Sequence, residues 1–496
     1  MIIMMKTKLF LFSVVFCFAI QVLAQSENVR YEDFLVTDSS NIYQGILDNG
    51  FRYYICNNNR PGNELEMRLI QKSGTDDDVE APGISLLLKR MLASENLSVG
   101  TDGMLKNRLE GLKLERKEKF WGLTPGVPAY HSEIDNRCTE FCLFQLKKEQ
   151  AYVASCMDLL SAIGGAAHFS ESELEHQKEL LVNEITNGTY DLSKAESDGM
   201  IAMFVEGTTL EEKTTRQIES IRRITLQQLE AYYQKWYIPQ NQCLYVFGKA
   251  PANVVDMIKQ KFGNRPSAPA PESNVKALSD KKLLFVKSNN PECVVKFFFV
   301  QPCDMRLGLA TLDDLRQSIS RYRYCDILKL SFMGTAMPFV EENNKYLERP
   351  VFGLTCKKGL DPYASKTQFT DFIDNLAKKL DNLIHDGIQI NIDSLPAEKL
   401  KEQQQKVMEN LPKYVVLDTH SMIKNNFVYS SPLLKMELAY NYFFNEVSAQ
   451  EMMDYGRAIF KDYDLRIVCS TPYGYPDADI KAKLESVLQH FEQMEK

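Results

Sequence analysis

The sequence predicts an α+β protein made of two homologous domains, and three observations carry that prediction. Short strand-like runs alternate with amphipathic helical runs along the chain. A proline-rich stretch, Gly263–Ser273 (GNRPSAPAPES), divides it near the middle. Three prolines in six residues exclude a helix interior or a central strand there. The two halves also end alike. Ile224 begins ITLQQLEAYYQKWYIPQNQCLYVFG and Val447 begins VSAQEMMDYGRAIFKDYDLRIVCS. Shifted by 223 residues, Thr225 meets Ser448, Gln228 meets Glu451, Leu229 meets Met452, Tyr232 meets Tyr455, Tyr237 meets Phe460 and Leu244 meets Ile467. Each copy opens on a Ser/Thr followed three residues later by Gln/Glu, which is a capping box. Each then runs as an amphipathic helix, breaks, and enters an apolar strand. A cap, helix, break and strand in common register point to duplication.

The elements follow in order. Residues 1–24 read as an export signal: Lys6 and Lys8, an apolar run from Leu9 to Leu23, and small residues Val22 and Ala24 before a cut at Gln25. Ile46–Cys56 is a hairpin turning at Asp48-Asn49-Gly50, and Leu65–Gln71 is a strand. Gly83–Ser94 and Thr101–Leu112 are helices, Arg137–Leu146 alternates as a strand, and Glu149–Ile163 and Ser170–Ile185 are helices. The second half opens on strands Lys282–Lys287 and Val294–Val300, with helices at Ser365–His385 and Ala397–Asn410 among those that follow. The expected boundaries are residues 1–24 for the signal, 25–262 for the first domain, 263–278 for the linker and 279–496 for the second domain.

Composition narrows the function. Apolar residues make up 44% of the 496 and charged residues 25%, the balance of a soluble globular chain. Loss of the signal removes two lysines and no acid, moving the formal charge from −8 to −10. An acidic chain is poorly suited to nucleic acid. No segment after the signal holds 18 uninterrupted apolar residues, so no membrane span is expected. The ten cysteines beyond the signal are scattered, without ligand spacing; most read as buried free thiols, and an oxidising compartment permits some bridges that the sequence does not pair.

Several stretches resemble the pitrilysin/insulinase zinc metallopeptidases. LDNGFRYYI (Leu47–Ile55) is similar to that family's opening strand pair. QKSGTDDDVEAPGISLLLKRM (Gln71–Met91) is similar to the approach to its active-site helix and the helix itself. AYHSEIDNRCTEF (Ala129–Phe141) resembles the strand that grips substrate, and ELEHQKELLVNEI (Glu173–Ile185) the helix that supplies the last zinc ligand. Gly207–Ala250 closely resembles the domain's closing segment. The resemblance implies two metallopeptidase-like α/β-roll domains, of the type found in mitochondrial processing peptidase, forming a clamshell.

It also implies chemistry that this chain cannot perform in the family's way. The family binds zinc through an inverted His-x-x-Glu-His motif, with two histidines on one helix face and a glutamate that takes a proton from metal-bound water. Counting from Gly83, those positions hold Leu86, Lys89 and Arg90; only the last-ligand position is kept, as Glu184. Leucine has no lone pair and arginine only donates. The six histidines, His131, His168, His176, His385, His420 and His490, include no pair spaced for helical metal binding. The expectation is a lost zinc site and no cofactor. Arg90 or Lys89 would stand beside Glu184 in the metal's place and spare that carboxylate an unpaired burial; the alternative is that both cations simply reach solvent. The family's substrate-holding Arg and Tyr in the second domain have no counterpart in Asp326–Phe339.

The implied function is a non-catalytic homologue, exported to a periplasm or secreted. It would bind peptide or serve as the non-catalytic subunit beside an active peptidase homologue. Its cleft would lie between the halves, with Ala129, Tyr130, His131 and Ser132 offering an edge to which a peptide adds as a strand. The alternatives are an active zinc endopeptidase with unusual ligands and a purely structural partner protein.

Overall fold

A computed structural model describes residues 29–36, 42–57, 65–100, 103–114, 130–187, 192–271, 277–288, 290–302, 310–332, 336–344, 346–359, 367–387, 419–443, 446–475 and 478–494. The export signal, Ala129 and the helix expected at Ala397–Asn410 lie outside these residues.

The first half builds one sheet from β1 (Ile42–Ile46), β2 (Arg52–Cys56), β3 (Leu65–Gln71), β4 (Tyr130–Ile134), β5 (Thr139–Leu146) and β6 (Gln242–Phe247), in the order β1-β2-β6-β3-β5-β4. The second builds another from β7 (Leu283–Ser288), β8 (Glu292–Val300), β9 (Met337–Asn344), β10 (Arg349–Gly359) and β11 (Asp464–Pro472), in the order β9-β10-β8-β11-β7. The helices of the first half are α1 (Ile84–Ala93), α2 (Leu105–Gly111), α3 (Gln150–Gly165), α4 (Glu171–Asn187), α5 (Leu192–Met200), α6 (Leu210–Arg223), α7 (Leu226–Trp236) and α8 (Val254–Phe262). Those of the second are α9 (Leu312–Ser331), α10 (Thr367–Asp386), α11 (residues 419–429), α12 (Met436–Phe443), α13 (Ala449–Ile459) and α14 (Ala478–Met494). Helix α2 is shorter than expected because Gly103, at φ 100°, and the extended Met104 break the chain before it.

Five strands of the first sheet, β2-β6-β3-β5-β4, match the order of the second read in reverse, and β1 has no counterpart there. Tyr53, Leu244, Leu69, Phe141 and Ser132 stand in one row across the first. Leu283, Ile467, Phe297, Leu354 and Pro338 form the matching row across the second. Leu244 and Ile467 are the pair matched by the sequence shift. Both capping boxes form: Thr225 Oγ1 accepts from Gln228 N at 3.3 Å and Ser448 Oγ from Glu451 N at 3.2 Å.

Each sheet packs one face on its own helices; the opposite face is covered by the other half. Met200 of α5, and Phe204 in the π-turn that extends it (Ile201–Val205), lie on Leu284, Val286, Phe298 and Val468 of the second sheet. Ile423, Phe427 and Val428, from α11, lie on Tyr54, Ile70, Cys243 and Tyr245 of the first. Residues 192–205 shifted by 223 become 415–428, so the exchange repeats with the duplication.

Charges follow the same pairing. Arg68 and Lys296 occupy equivalent sheet positions, paired with Tyr245 and Val468 respectively. Lys296 pairs with Glu196 of α5. Arg68 pairs with Glu66 and lies 3.3 Å from buried Glu140, which also meets His420 Nε2 at 2.8 Å and Lys424 Nζ at 2.8 Å. Lys424 reaches Asp135 at 2.7 Å as well. Buried Arg466 donates to the Phe204 carbonyl at 3.2 Å, where a cation complements the negative end of a helix. The proline-rich stretch is fastened at its start: Arg265 donates to Gln242 Oε1 at 2.5 Å and to the Tyr237 carbonyl at 2.6 Å. Nine cysteines among the described residues are buried free thiols; burial pushes Cys56, Cys156 and Cys356 up to about 12.

Glu140 sets an acid limit on this interface. Burial alone would raise its carboxyl, but His420, Lys424 and Arg68 hold it well below the ordinary range. Such a group contributes stability above its unfolded value and loses it as pH falls toward the folded one. Glu140→Gln is expected to lose about 3–5 kcal/mol at pH 7, and to show a shallower decline in urea stability from pH 5 to pH 3 than the parent. Parallel pH profiles would show that Glu140 carries no such linkage.

Candidate functional site

Helix α1 is held rigidly at its start. Gly83 takes φ 92°, and a Cβ there would come within 2.7 Å of Ile221. Buried Asp78 accepts from Gly83 N at 3.0 Å, Ser85 N at 3.2 Å and Ser85 Oγ at 2.8 Å. Tyr232 adds a 3.3 Å hydrogen bond to Asp78 and meets Ser73 Oγ at 2.9 Å. Burial raises the Asp78 carboxyl to about 7, against the pull of the Ser85 and Gly83 donors.

Ile84, Leu87, Leu88, Met91 and Leu92 bury the core face of α1. Leu86, Lys89 and Arg90 therefore share the remaining stripe, at i, i+3 and i+4. Leu86 packs at the margin of the core and α4 runs alongside. Arg90 pairs through Nη1 with Glu184 and donates from Nε to Gln177 Oε1 at 3.2 Å. Gln177 passes the network to Glu173 at 2.8 Å, which also accepts from Ser94 Oγ at 2.5 Å and Asn96 Nδ2 at 3.1 Å. The cation thus reaches the retained carboxylate. The expected motive for that pairing is corrected, because Glu184 is 62% exposed and Arg90 25%. Water, not burial, is the alternative partner of this carboxylate.

The stripe does not fit zinc. An alkyl chain, an ammonium and a guanidinium stand where two imidazoles and a general base would be needed. Among the described residues no cluster of three or more His, Cys, Asp or Glu could hold a metal.

Strand β4 is the outer strand of the first sheet. Tyr130 OH donates to the Leu92 carbonyl at 3.2 Å, tying this edge to the end of α1. His131 stacks on Phe144 with ring centres 4.9 Å apart and meets Glu133 at 2.8 Å. Ser132 pairs with Phe141.

A cavity of about 690 Å³ does lie between the halves, but Tyr130, His131 and Ser132 do not line it. It follows β9, the counterpart of β4 in sheet order, beneath α9, and is flanked on the first half by Glu196 and Met200. Phe298 and Phe339 supply apolar walls and the Lys296–Glu196 pair supplies charge. The counterpart is visible in the sheet order and not in the sequence, because the shift of 223 would carry β4 onto β10. The arginine-free stretch Asp326–Phe339 runs from the end of α9 into this strand.

Comparison with known proteins agrees with this geometry. A model of the peptidase M16 inactive domain matches residues 223–329. A zinc protease PQQL-like protein of Arabidopsis thaliana is 22% identical over 231 residues, covering 46% of this chain and 23% of that one. The chloroplastic stromal processing peptidase of Oryza sativa subsp. indica is 21% identical over 213 residues, covering 42% and 15%. The chain therefore spans less than a quarter of these curated relatives. Among solved structures, the first half of the periplasmic protease PqqL from Escherichia coli superposes with a TM-score of 0.67 at 15% identity, covering 92% of this chain and 98% of that one. Whole PqqL gives 0.68 at 15% identity, covering 92% of this chain but 50% of PqqL. A peptidase M16 inactive domain from Pseudomonas fluorescens gives 0.60 at 16% identity, covering 87% and 98%.

The anchoring of α1 predicts unequal costs along it. Arg90→Met removes an exposed pair and is expected to change unfolding free energy by less than about 1 kcal/mol. Asp78→Ala strips four donors of an acceptor and is expected to cost about 2–4 kcal/mol. Urea unfolding of the two variants checks the order, which would fail if Arg90→Met were the more damaging.

Proposed function

We propose that this chain, which has the fold of the M16 (pitrilysin/insulinase) metallopeptidases and is related to their inactive domain, is a non-catalytic peptidase homologue that binds peptide or pairs with an active homologue. The observation that carries the reading is the Arg90–Glu184 pair on α1 and α4. A fixed cation occupies the face where the family holds its metal, so the scaffold is retained while the donors are gone.

Length supports the pairing. The chain matches nearly all of the first half of PqqL and half of the whole, so a second unit of this size would complete a comparable assembly. On this reading an extended peptide would add to an outer strand, either β4, with Tyr130, His131 and Ser132, or β9 beside the inter-half cavity. An extended segment satisfies its backbone groups by adding to such an edge, and a cavity of this size suits a large side chain. Export follows from the signal-like residues 1–24, and the similarity in fold to PqqL, a periplasmic protease, is in keeping with it.

The test uses the full chain purified from its native exported fraction. Metal analysis is expected to find well under one zinc per chain, and a peptide library should be bound without being cut. The triple variant Leu86→His, Lys89→Glu, Arg90→His, which joins Glu184 in the family's donor set, is expected to take up about one zinc per chain. Stoichiometric zinc in the parent, with peptide hydrolysis abolished by a chelator, would replace this reading with an active peptidase.

A further inference from the structure

We infer that the segment Val29–Val36 is a latch that fixes α11 on the first sheet, and so governs how readily the two halves part. The segment precedes β1 in sequence yet docks on the second half. Phe34 is 2% exposed within the second core, with ring centres 5.8 Å from Tyr442 and 5.7 Å from Phe443. Its backbone forms a short antiparallel pair with the chain entering α12. Lys435 N donates to the Phe34 carbonyl at 2.8 Å, and Val36 N donates to the Leu433 carbonyl at 2.9 Å. Leu35 and Leu434 face each other between these two bonds.

The docking point lies just beyond α11, the helix that covers the first sheet. Helix α11 ends at residue 429, and Ser430 then takes φ 58°, a left-handed conformation unusual for serine. Ser431 N returns to the Asn425 carbonyl at 3.3 Å, and Asn426 Nδ2 donates to the Ser431 carbonyl at 2.6 Å. Asn426 also accepts from Tyr54 OH at 2.6 Å. Only a few residues separate this turn from Leu434. The latch therefore holds one end of a short connector whose other end is α11, and α11 carries the apolar contacts and the Lys424 and His420 contacts to Glu140. Elements fastened at few points open as local units before the whole fold does. Undocking of Phe34 releases α11 from that restraint while the first core, which contains none of residues 29–36, stays intact.

The pairing supplies its own test. A facing pair flanked by bonds in this pattern is a non-hydrogen-bonded pair, the type that brings side chains closest and suits a disulfide. In the full chain carrying Leu35→Cys and Leu434→Cys, oxidation is expected to form the bond. Amide hydrogen exchange over residues 419–429 should then slow about tenfold or more relative to the reduced form of the same molecule, with exchange in β3 unchanged. Phe34→Leu, which keeps an apolar side chain, is expected to speed exchange over residues 419–443 about tenfold and to leave β3 unchanged. Failure of the bond to form, unchanged exchange in 419–429 once it has formed, or an equal change in β3 would each overturn the latch.

Discussion

Everything in this molecule rests on two sheet faces that neither half can cover with its own helices. Each presents an apolar surface that includes a cation at the same sheet position, Arg68 in one and Lys296 in the other, and each receives one helix from the opposite half. Burial of such surfaces is the main driving force available, so the halves stabilise each other. The charges set register as much as strength. Glu196 meets Lys296, and α11 brings His420 and Lys424 to Glu140, so each helix meets a complementary charge on the sheet it covers. The duplication thus repeats the contact between domains as well as the domains.

The stripe of Leu86, Lys89 and Arg90 stands apart from what holds the fold. The core face of α1, the left-handed Gly83 and the Asp78 acceptor fix the helix, and none of them belongs to that stripe. Leu86, Lys89 and Arg90 lie on a face where the core asks little of them. Arg90 settles with Glu184 and Gln177 because a guanidinium offers several donors in a planar fork. The pairing is a consequence of the positions being free to change, and the exposure of Glu184 shows that no buried charge required it.

Much of this was legible in the sequence because it depends on local pattern. The capping boxes at Thr225 and Ser448, strand β3, the hairpin at Asp48-Asn49-Gly50 and the start of α1 at Gly83 are written in adjacent residues. The reach of Arg90 to Glu184 was also legible, through the resemblance that placed two distant helices side by side. What depended on contacts between the halves was not. Nothing in the residues around α5 or α11 says which sheet each will cover, since an apolar helix face is the same wherever it docks. The cavity along β9 was missed for a related reason: it is made of segments from both halves, and only the sheet order connects β9 to β4. The fastening of Arg265 was hidden because a proline-rich stretch reads as a spacer whether or not its side chains are anchored.

The buried thiols give the molecule an internal chemistry of their own. With burial pushing Cys56, Cys156 and Cys356 up to about 12, these groups stay in the unreactive thiol form at neutral pH. The nine described cysteines are thus shielded from oxidants and alkylating agents while the fold is closed. The cysteines are also sorted by location: Cys56, Cys138 and Cys243 lie under α11, Cys156 in the first core, and Cys293, Cys356 and Cys469 in the second. Which of them first becomes reactive is thus a natural record of which part of the structure has come apart, kept by the protein without any added label.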